Sequence, residues 1–463
     1  MGDFHGLTPI GLYAAALGAP GLASAEQQLV CVGAAAPRPD WSLYTQDHAA
    51  IPSACADTSG AVTSTPRPDV TAFAARYRAP GARRASLALV RRLGGDYWVT
   101  IEAGYARGVN QYGLLDRNLS TTPRFTLADE AGRPVYVPLD SIVPATGAVA
   151  STASRRDPAF GHVLVLESGL QSDTKQLGVT VTGATRGGRA TFRVGYTITR
   201  ARDQSSFSCC AASRGFASPT TAGDPNVLDW GTSSLERRHS FVGTVSVAVT
   251  RAFELDAIGR LTSGVPFTPI VGSDINGDGT RNDRAFIFDP ATAGDPAVTA
   301  AMGTLLVRAP SSIAACLHSQ LGRIAARNSC TGPWQPSLDL QLNWRPAWPS
   351  ADRRFTLSLV TINLLGGLDE WLHGVTGLHG WGYSAAPDPV LLAVTGFDPA
   401  GARFHYTVNG HFGSVASASG GVSVPFQIGL RGRYTLGPGA RARAASHVTS
   451  LSPDGPRPPE PAR

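Results

Sequence analysis

The chain has almost no lysine, few charged residues and no long apolar segment. Of its 40 Lys and Arg residues, Lys175 is the one lysine, and charged residues make up 16% of the 463 positions. A transmembrane helix needs about 20 consecutive apolar residues, and no uninterrupted run of that length occurs. This excludes a bundle of membrane helices. It does not exclude a membrane-spanning β-barrel, because barrel strands carry a much weaker hydrophobicity signal.

Signals for nucleic-acid binding and for catalysis are also missing. Nucleic-acid binders concentrate positive charge on one face, whereas the arginines here are scattered, although the net charge is +6. No G-x-S-x-G, H-E-x-x-H or Walker motif occurs. Glu254 and Asp256 share one face of a predicted strand, where we expect solvation or pairing with Arg260 rather than acid–base chemistry. The sequence predicts no enzyme, no cofactor-binding site and no nucleic-acid partner.

The six cysteines lie in stretches rich in Gly, Pro, Ser and Ala, which we interpret as loops. None belongs to a C-x-x-C motif, and no His/Cys cluster has zinc-ligand spacing. The local pairs Cys31–Cys55 and Cys316–Cys330 would each close one loop and would indicate an oxidising compartment. The alternative is six unpaired small residues. Cys209 and Cys210 are adjacent and support no prediction.

The strongest positive signal is alternation of apolar and polar residues with period two. One example has Leu338, Leu340, Leu342 and Trp344 on one face and Asp339, Gln341, Asn343 and Arg345 on the other. Several such runs reach about ten residues, the length of a tilted membrane-spanning strand, whereas an average strand has about five or six. Aromatic residues lie near strand ends, as in the girdles of outer-membrane barrels; they are Tyr97, Tyr105, Phe253, Trp344, Phe355 and Tyr434.

Short turns, such as Gly94-Gly95, alternate with long insertions at 200–238, 266–336 and 364–425. We therefore predict an all-β fold, an antiparallel transmembrane β-barrel with long extracellular loops. Its apolar face would contact outer-membrane lipid, and polar residues would line the lumen; these include Asp339, Arg345, Arg431 and Arg433. The alternative is a secreted or surface-attached soluble β-protein, a Ca-stabilised adhesin or glycan-binding module, because a soluble sandwich shows the same alternation.

Several motifs carry a family resemblance. Ser263–Pro269 precedes the acidic segment Asp274–Arg284, Arg327–Trp334 leads into a strand with an internal Asp339, and Asn363–Gly366 ends a late strand. Together with Arg238-His239-Ser240-Phe241 they resemble the barrel domain of TonB-dependent transporters, in particular the Oar-like family, over roughly residues 85–435. The resemblance implies a bacterial outer-membrane barrel of about 22 strands, a plug, a TonB contact and an unidentified ligand captured by the long loops.

The chain departs from that pattern in three ways. We expect about ten to twelve strands, no room for a plug before the first strand, and a Pro/Arg-rich tail after the last. The expectation is therefore an incomplete, C-terminal part of a larger barrel, a truncated member that would reach the TonB system through a plug region absent here. The predicted divisions are a loop-rich segment at 1–83, the barrel segment at 84–436 and a disordered tail at 437–463. Residues 7–25 partly resemble a signal peptide but lack a basic start, so a hydrophobic loop is the alternative.

The acidic segment contains the beginning of a calcium loop. Asp274, Asn276 and Asp278, with the following Gly279, match D-x-[DN]-x-[DN]-G, and Asn282 and Asp283 could add oxygen ligands. Ala285 stands where an EF-hand needs a bidentate Glu, so we expect at most a small loop-stabilising Ca²⁺ site. The alternative is a turn with solvated carboxylates, in which Asp283 and Arg284 form a local ion pair.

A second polar segment, between Trp371 and Trp381, is rich in Gly, His and Trp and includes His373 and His379. We expect a loop that packs on itself or contacts a ligand or lipopolysaccharide headgroup.

Overall fold

A computed structural model describes most of the chain. It covers residues 2–5, 10–22, 28–31, 37–38, 40–52, 54–56, 61–64, 67–185, 187–204, 220–227, 229–346, 355–374, 378–382, 387–415 and 426–434. The strands are β1 (Gly2–His5), β2 (Gln28–Cys31), β3 (Ala61–Ser64), β4 (Val70–Phe73), β5 (Gly81–Gly94), β6 (Tyr97–Asp116), β7 (Phe125–Leu127), β8 (Arg133–Val135), β9 (Val163–Ala184), β10 (Ala190–Asp203), β11 (Gly231–Thr232), β12 (His239–Ala248), β13 (Phe253–Thr262), β14 (Pro266–Phe267), β15 (Ile270–Val271), β16 (Phe286–Ile287), β17 (Arg323–Ile324), β18 (Cys330–Thr331), β19 (Gln335–Trp344), β20 (Phe355–Ile362), β21 (Val390–Asp398), β22 (Arg403–Val408) and β23 (Gln427–Tyr434). The α-helices are α1 (Ile10–Gly18), α2 (Trp41–Tyr44), α3 (Pro296–Arg308), α4 (Ser311–His318) and α5 (Leu364–His373).

One large sheet of 12 strands dominates the fold, in the order β1-β5-β6-β9-β10-β12-β13-β19-β20-β23. Every pairing along this path is antiparallel, while β11 and β4 add short pairings at β10 and β9. The predicted antiparallel all-β fold is confirmed. In the described residues no pairing joins β1 to β23, so the sheet is open there.

The connections between these strands differ in length at the two ends of the sheet. Residues 95–96, 185–189, 249–252 and 345–354 connect strands at one end, and 117–162, 204–238, 263–334 and 363–426 connect them at the other. Outer-membrane barrels have short turns on the periplasmic side and long loops outside the cell. The predicted alternation is confirmed, and all four long connections lie together at one end of the sheet.

The two faces of the sheet differ in polarity, as the alternation predicted. Register places Leu89, Ile101, Val179, Tyr196, Phe241 and Leu261 in one row across six strands. A second row consists of Leu255, Leu342, Leu359 and Leu430. Many of these side chains are exposed, for example Leu89 at 61% and Leu430 at 72%. A contiguous apolar surface of this extent is unusual for a water-soluble monomer and marks contact with a membrane or another protein.

Aromatic rings border this apolar face at two levels. Towards the short turns, Phe253 packs on Trp344 with ring centroids 6.5 Å apart. Towards the long connections, Tyr196 stacks on Phe241 at 4.5 Å, and Phe241 pairs with Leu261, eight positions from Phe253. Eight residues span about 27 Å along a strand, which a tilt of about 40° reduces to roughly 21 Å, close to the apolar band of about 25 Å in outer-membrane barrels.

The main hydrophobic core lies outside the sheet. We call residues 117–162, 204–238, 263–334 and 363–426 the cap. Its core consists of buried apolar residues from three of these connections, among them Val137, Ile275, Met302, Leu391 and Phe412. The fourth connection joins through hydrogen bonds, including one from the Asn276 side-chain amide to the Gly223 carbonyl at 2.7 Å. The long loops are therefore a packed unit on one end of the sheet.

Helices α3 and α4 in the cap were not predicted. Asp295 caps α3 through the backbone N–H groups of Ala297 and Val298, and Val298, Met302 and Leu305 form its buried face. None of the helices among the described residues is long and apolar enough to cross a membrane.

The Cys316–Cys330 disulfide is present, as predicted. However, Cys316 lies in α4 and not in a loop. Cys55 is also disulfide-bonded, whereas the Cys31 side chain, Cys209 and Cys210 lie outside the described residues.

The hydrophobic segment near residue 10 forms helix α1. Leu12 is fully buried against Tyr112, Leu114 and Leu166 of the sheet. This part of the chain is therefore packed structure rather than a loop. The predicted tail at 437–463 lies outside the described residues.

Candidate functional site

The polar face of the sheet carries ion pairs that link neighbouring strands. Arg260 lies 3.0 Å from Asp339, and Arg345 lies 2.6 Å from Glu254. Asp256 accepts a hydrogen bond from the Asn343 side-chain amide at 2.7 Å. Of the two expectations for Glu254 and Asp256, solvation or pairing with Arg260, the pairing is wrong, because the β13–β19 register gives each of these groups a partner on β19 or directly after it. Arg431 and Arg433 lie on the same face, since they pair in register with Ser358 and Thr356.

The acidic segment 274–283 lies inside the cap, and its side chains bind its own backbone. Asp274 accepts hydrogen bonds from the N–H groups of Gly277 at 2.7 Å and Gly279 at 2.8 Å. Asp278 accepts from the Thr280 N–H at 2.7 Å. Gly277 has a φ of 80°, and a Cβ there would lie 2.7 Å from Val137, so this turn requires glycine.

The solvated-carboxylate alternative is wrong, because Asn276, Asp278, Asn282 and Asp283 are all buried. Burial, together with the nearby Asp278, raises the pKa of Asp274 to about 7. Burial also raises the pKa of Asp278 and, with repulsion from Asp278 and Asp274, that of Asp283. Burial and mutual repulsion therefore disfavour the charged forms of these three carboxyl groups.

Asp283 and Arg284 do not pair with each other, contrary to one alternative. Arg284 binds Asp229 at 2.7 Å. The Asp283 Oδ1 atom is 3.6 Å from the Arg133 Nη1 atom, which is too far for a hydrogen bond. Neither atom has a hydrogen-bond partner among the residues that the structure describes. Arg133 is fully buried and pairs with Glu130 at 2.8 Å, so one guanidinium serves two buried carboxylates.

The carboxylates among the predicted calcium ligands share one segment, but their ligand atoms do not all lie within 4.8 Å of one another. Within the described parts of the chain, the one group of three or more acidic, His or Cys side chains whose ligand atoms all lie within 4.8 Å is elsewhere, at Asp369, His373 and His379. The carboxylates of the acidic segment instead face backbone N–H groups.

A cavity of about 460 Å³ opens in the cap between β16, β22 and the beginning of α3. Aromatic rings form one wall: Phe288 packs 5.0 Å from Phe286 and 5.8 Å from Tyr406. The charged residues of the lining are Asp129, Asp289, Asp295, Arg403 and His405. Burial and the neighbouring Glu130 raise the pKa of Asp129. The lining combines apolar rings with an excess of carboxylates, which suits a ligand with an apolar body and a positive group.

The only sequence signal for this cavity is the alternation of aromatic residues in two short segments. Phe286 and Phe288 are spaced by two, as are Phe404 and Tyr406. Which of these residues meet depends on the folding of connections more than 100 positions apart.

Comparison with known proteins gives a family match over most of the chain. Residues 13–364 match the family described as outer membrane beta barrel domain. No curated protein matches the sequence.

Among solved structures, the outer membrane transporter YddB from Escherichia coli is similar at 8% identity and a TM-score of 0.36, over 66% of this chain and 31% of that chain. The FrpB iron transporter from Neisseria meningitidis is similar at 10% identity and a TM-score of 0.30, over 64% and 29%. The ferric-catecholate import receptor Fiu from Escherichia coli K12 is similar at 10% identity and a TM-score of 0.31, over 77% and 28%. The chain thus spans less than a third of the length of each.

Proposed function

The chain belongs to the outer membrane beta barrel domain family, and from this membership we propose that it serves as a receptor and transporter that moves an unidentified ligand across the bacterial outer membrane. The observation that carries the proposal is the position of the cap at one end of a sheet that has a polar face. All long connections form one packed cap with a cavity, and the polar face with its ion pairs runs from there along the strands. Capture in the cap and passage along the polar face follow from this arrangement.

In finer detail, we propose a TonB-dependent receptor of the Oar-like type. The motifs at Ser263–Pro269, Asp274–Arg284 and Arg327–Trp334 support this assignment. Among the described residues, β1 and β23 each have an unpaired edge, and such edges are costly in lipid because unpaired strand groups lack water there. They support a chain that forms part of a larger barrel, in which other polypeptide supplies the plug and the TonB contact. The same proposal divides the chain into a loop-rich segment at 1–83, the barrel segment at 84–436 and a tail at 437–463. It also includes the absence of enzymatic activity.

The cavity is the proposed capture site. Three carboxylates and two basic groups line it, beside four aromatic rings. Arg403 also pairs with Asp398 at 3.1 Å, and the His405 Nδ1 atom lies 4.0 Å from the Asp295 carboxylate. The three carboxylates of the lining still outnumber its two basic groups and favour a cationic group.

A deletion experiment tests the proposal without knowledge of the ligand. Spent medium is compared by mass spectrometry for the parent strain, a strain lacking this chain and a strain lacking TonB. The expected result is at least one compound that the parent depletes and that persists in both mutant cultures. Complementation with the wild-type chain or with the exposed control Arg308→Ala restores depletion, whereas Asp295→Asn with Asp289→Asn does not. A compound that persists without this chain but is depleted without TonB contradicts TonB dependence.

We also propose that the acidic segment binds one Ca²⁺ through some of Asp274, Asn276, Asp278, Asn282 and Asp283. The close sequence spacing of carboxyl and amide oxygens in one buried segment supports this proposal, since hard oxygen ligands suit Ca²⁺. Occupancy would require the Asp274 and Asp278 side chains to exchange some of their backbone hydrogen bonds for the cation.

The soluble adhesin is not favoured. A β-sandwich buries its apolar face against a second sheet. Here Leu89, Leu342, Leu359 and Leu430 stay exposed among the described residues.

A further inference from the structure

Three metal-ligating side chains meet at the end of helix α5, away from the acidic segment and the cavity. The Asp369 Oδ1 atom lies 2.8 Å from the His373 Nδ1 atom and 3.5 Å from the His379 Nδ1 atom. The two imidazole rings are 3.9 Å apart between centroids, with their planes at 62°. The segment between Trp371 and Trp381 is thus only partly the predicted loop, because Trp371 and His373 belong to α5.

The local sequence explains why these groups converge. Asp369 and His373 are four residues apart on α5 and therefore share one face of the helix. The chain then reverses, and the fully buried Asp369 carboxylate accepts backbone hydrogen bonds from His379 and Trp381, each at 3.0 Å. These bonds bring the His379 ring back beside His373. Asp369 thus anchors the reversal and orients both imidazoles.

The distances approach those of a tetrahedral metal centre. With metal–ligand bonds of about 2.0–2.2 Å, two ligand atoms of a tetrahedron lie about 3.3–3.5 Å apart. The Asp369–His379 distance already has this value, and the Asp369–His373 hydrogen bond must lengthen by about 0.5 Å. All three ligand atoms lie within 4.8 Å of one another, so small side-chain rotations suffice.

We propose that Asp369, His373 and His379 bind one Zn²⁺ or a chemically similar divalent transition-metal ion, with solvent as the fourth ligand. Two imidazoles and one carboxylate form a donor set that suits zinc better than calcium. The side chains of His373 and His379 are 28% and 57% exposed, so an ion can enter from solvent. The bound ion would hold residues 378–382 against α5, at the end of the sheet where the long connections lie.

The test uses the full chain extracted from outer membranes in mild detergent and stripped of metal by a chelator that is then removed. Zn²⁺ is titrated in competition with a chromophoric chelator, in excess Ca²⁺ so that the acidic segment does not compete. We expect one equivalent of tight binding. His373→Gln and His379→Gln should each weaken it at least about ten-fold, since even the loss of groups that only orient a ligand costs 10–100-fold. His318→Gln, an exposed histidine on α4, is the matched control and should bind as the wild type does.

Cobalt substitution gives an independent readout. Co²⁺ in the wild type and in His318→Gln should show the intense visible absorption of a tetrahedral site, and His379→Gln should lose it. Because His379 is largely exposed, its replacement should leave the fold intact, which circular dichroism of the same samples verifies. The proposal is overturned if Zn²⁺ affinity is the same in both histidine variants and the wild type, or if no saturable binding or visible Co²⁺ absorption occurs.

Discussion

Replacement of Val245 by arginine tests whether the apolar face of the sheet contacts lipid. Val245 lies on β12 within the apolar face, between Phe192 and Ala257 in register, and is 37% exposed. It is four residues from Phe241, at the aromatic level towards the long connections, and three from Ala248 at the other end of β12, so these two positions are about 10–14 Å away. An arginine there would place its guanidinium near the middle of the apolar band.

The expected cost follows from this depth. Arginine on the lipid face near the bilayer midplane destabilises a barrel by about 2–4 kcal/mol, which corresponds to about 30- to 900-fold in the unfolding equilibrium. In water, the same change at a partly exposed strand position would cost within about 0.5 kcal/mol. The two environments therefore predict clearly different results.

The matched control is Ser246→Arg. Ser246 is the next residue, has nearly the same depth and lies on the polar face opposite Asp256, where a new arginine gains an opposite charge. Both variants are refolded into phospholipid vesicles and unfolded with guanidinium while tryptophan fluorescence is followed. We expect Val245→Arg to lose about 2–4 kcal/mol and Ser246→Arg to change by less than about 1 kcal/mol. Equal effects, or a harmless Val245→Arg, would refute the assignment of this face to lipid.

Three further predictions concern the cap. Arg133→Met leaves two buried carboxylates without their cation and should destabilise the cap by about 3–5 kcal/mol. Arg117→Met, at a mostly exposed ion pair, should lower the free energy of unfolding by less than about 1 kcal/mol. Equal losses of stability in denaturant titrations of the two variants would contradict this prediction. Replacing Cys316 and Cys330 by serine opens a loop of sequence separation 14 and should lower the stability of the cap by about 3 kcal/mol. Proteolysis between residues 263 and 334 should therefore become faster, and unchanged cleavage would contradict this prediction. Chelation of Ca²⁺ should speed cleavage of the acidic segment in the wild type and have no effect in Asp278→Asn; equal protease resistance with and without Ca²⁺ in the wild type would count against the site.

The strands could be predicted from the sequence because each carries its own signal. In β19 the alternation from Leu338 to Trp344 identifies both the strand and its two faces. The partners of polar residues could not be predicted in the same way. Arg260 and Asp339 lie on strands separated by a long connection, and their contact depends on a register that no local pattern specifies.

The helices of the cap were predictable in part. Asp295-Pro296 is a helix start signal, and Val298, Met302 and Leu305 have helical spacing, but both signals are short and stand in a chain dominated by strand alternation. Folding of the cap as one core depends on contacts among distant connections. The meeting of Asp369 with His379 depends likewise on a chain reversal set by backbone hydrogen bonds.

The central claim is that the sheet spans the bacterial outer membrane, and fractionation of native cells tests it most directly. Cells are separated into soluble, inner-membrane and outer-membrane fractions, and the membranes are washed with alkaline carbonate. The chain is then detected with an antibody against residues 220–238, on denaturing gels of unboiled and boiled samples. We predict that it stays in the carbonate-washed outer membrane and migrates differently before and after boiling. Recovery as a water-soluble protein with unchanged migration would contradict the account.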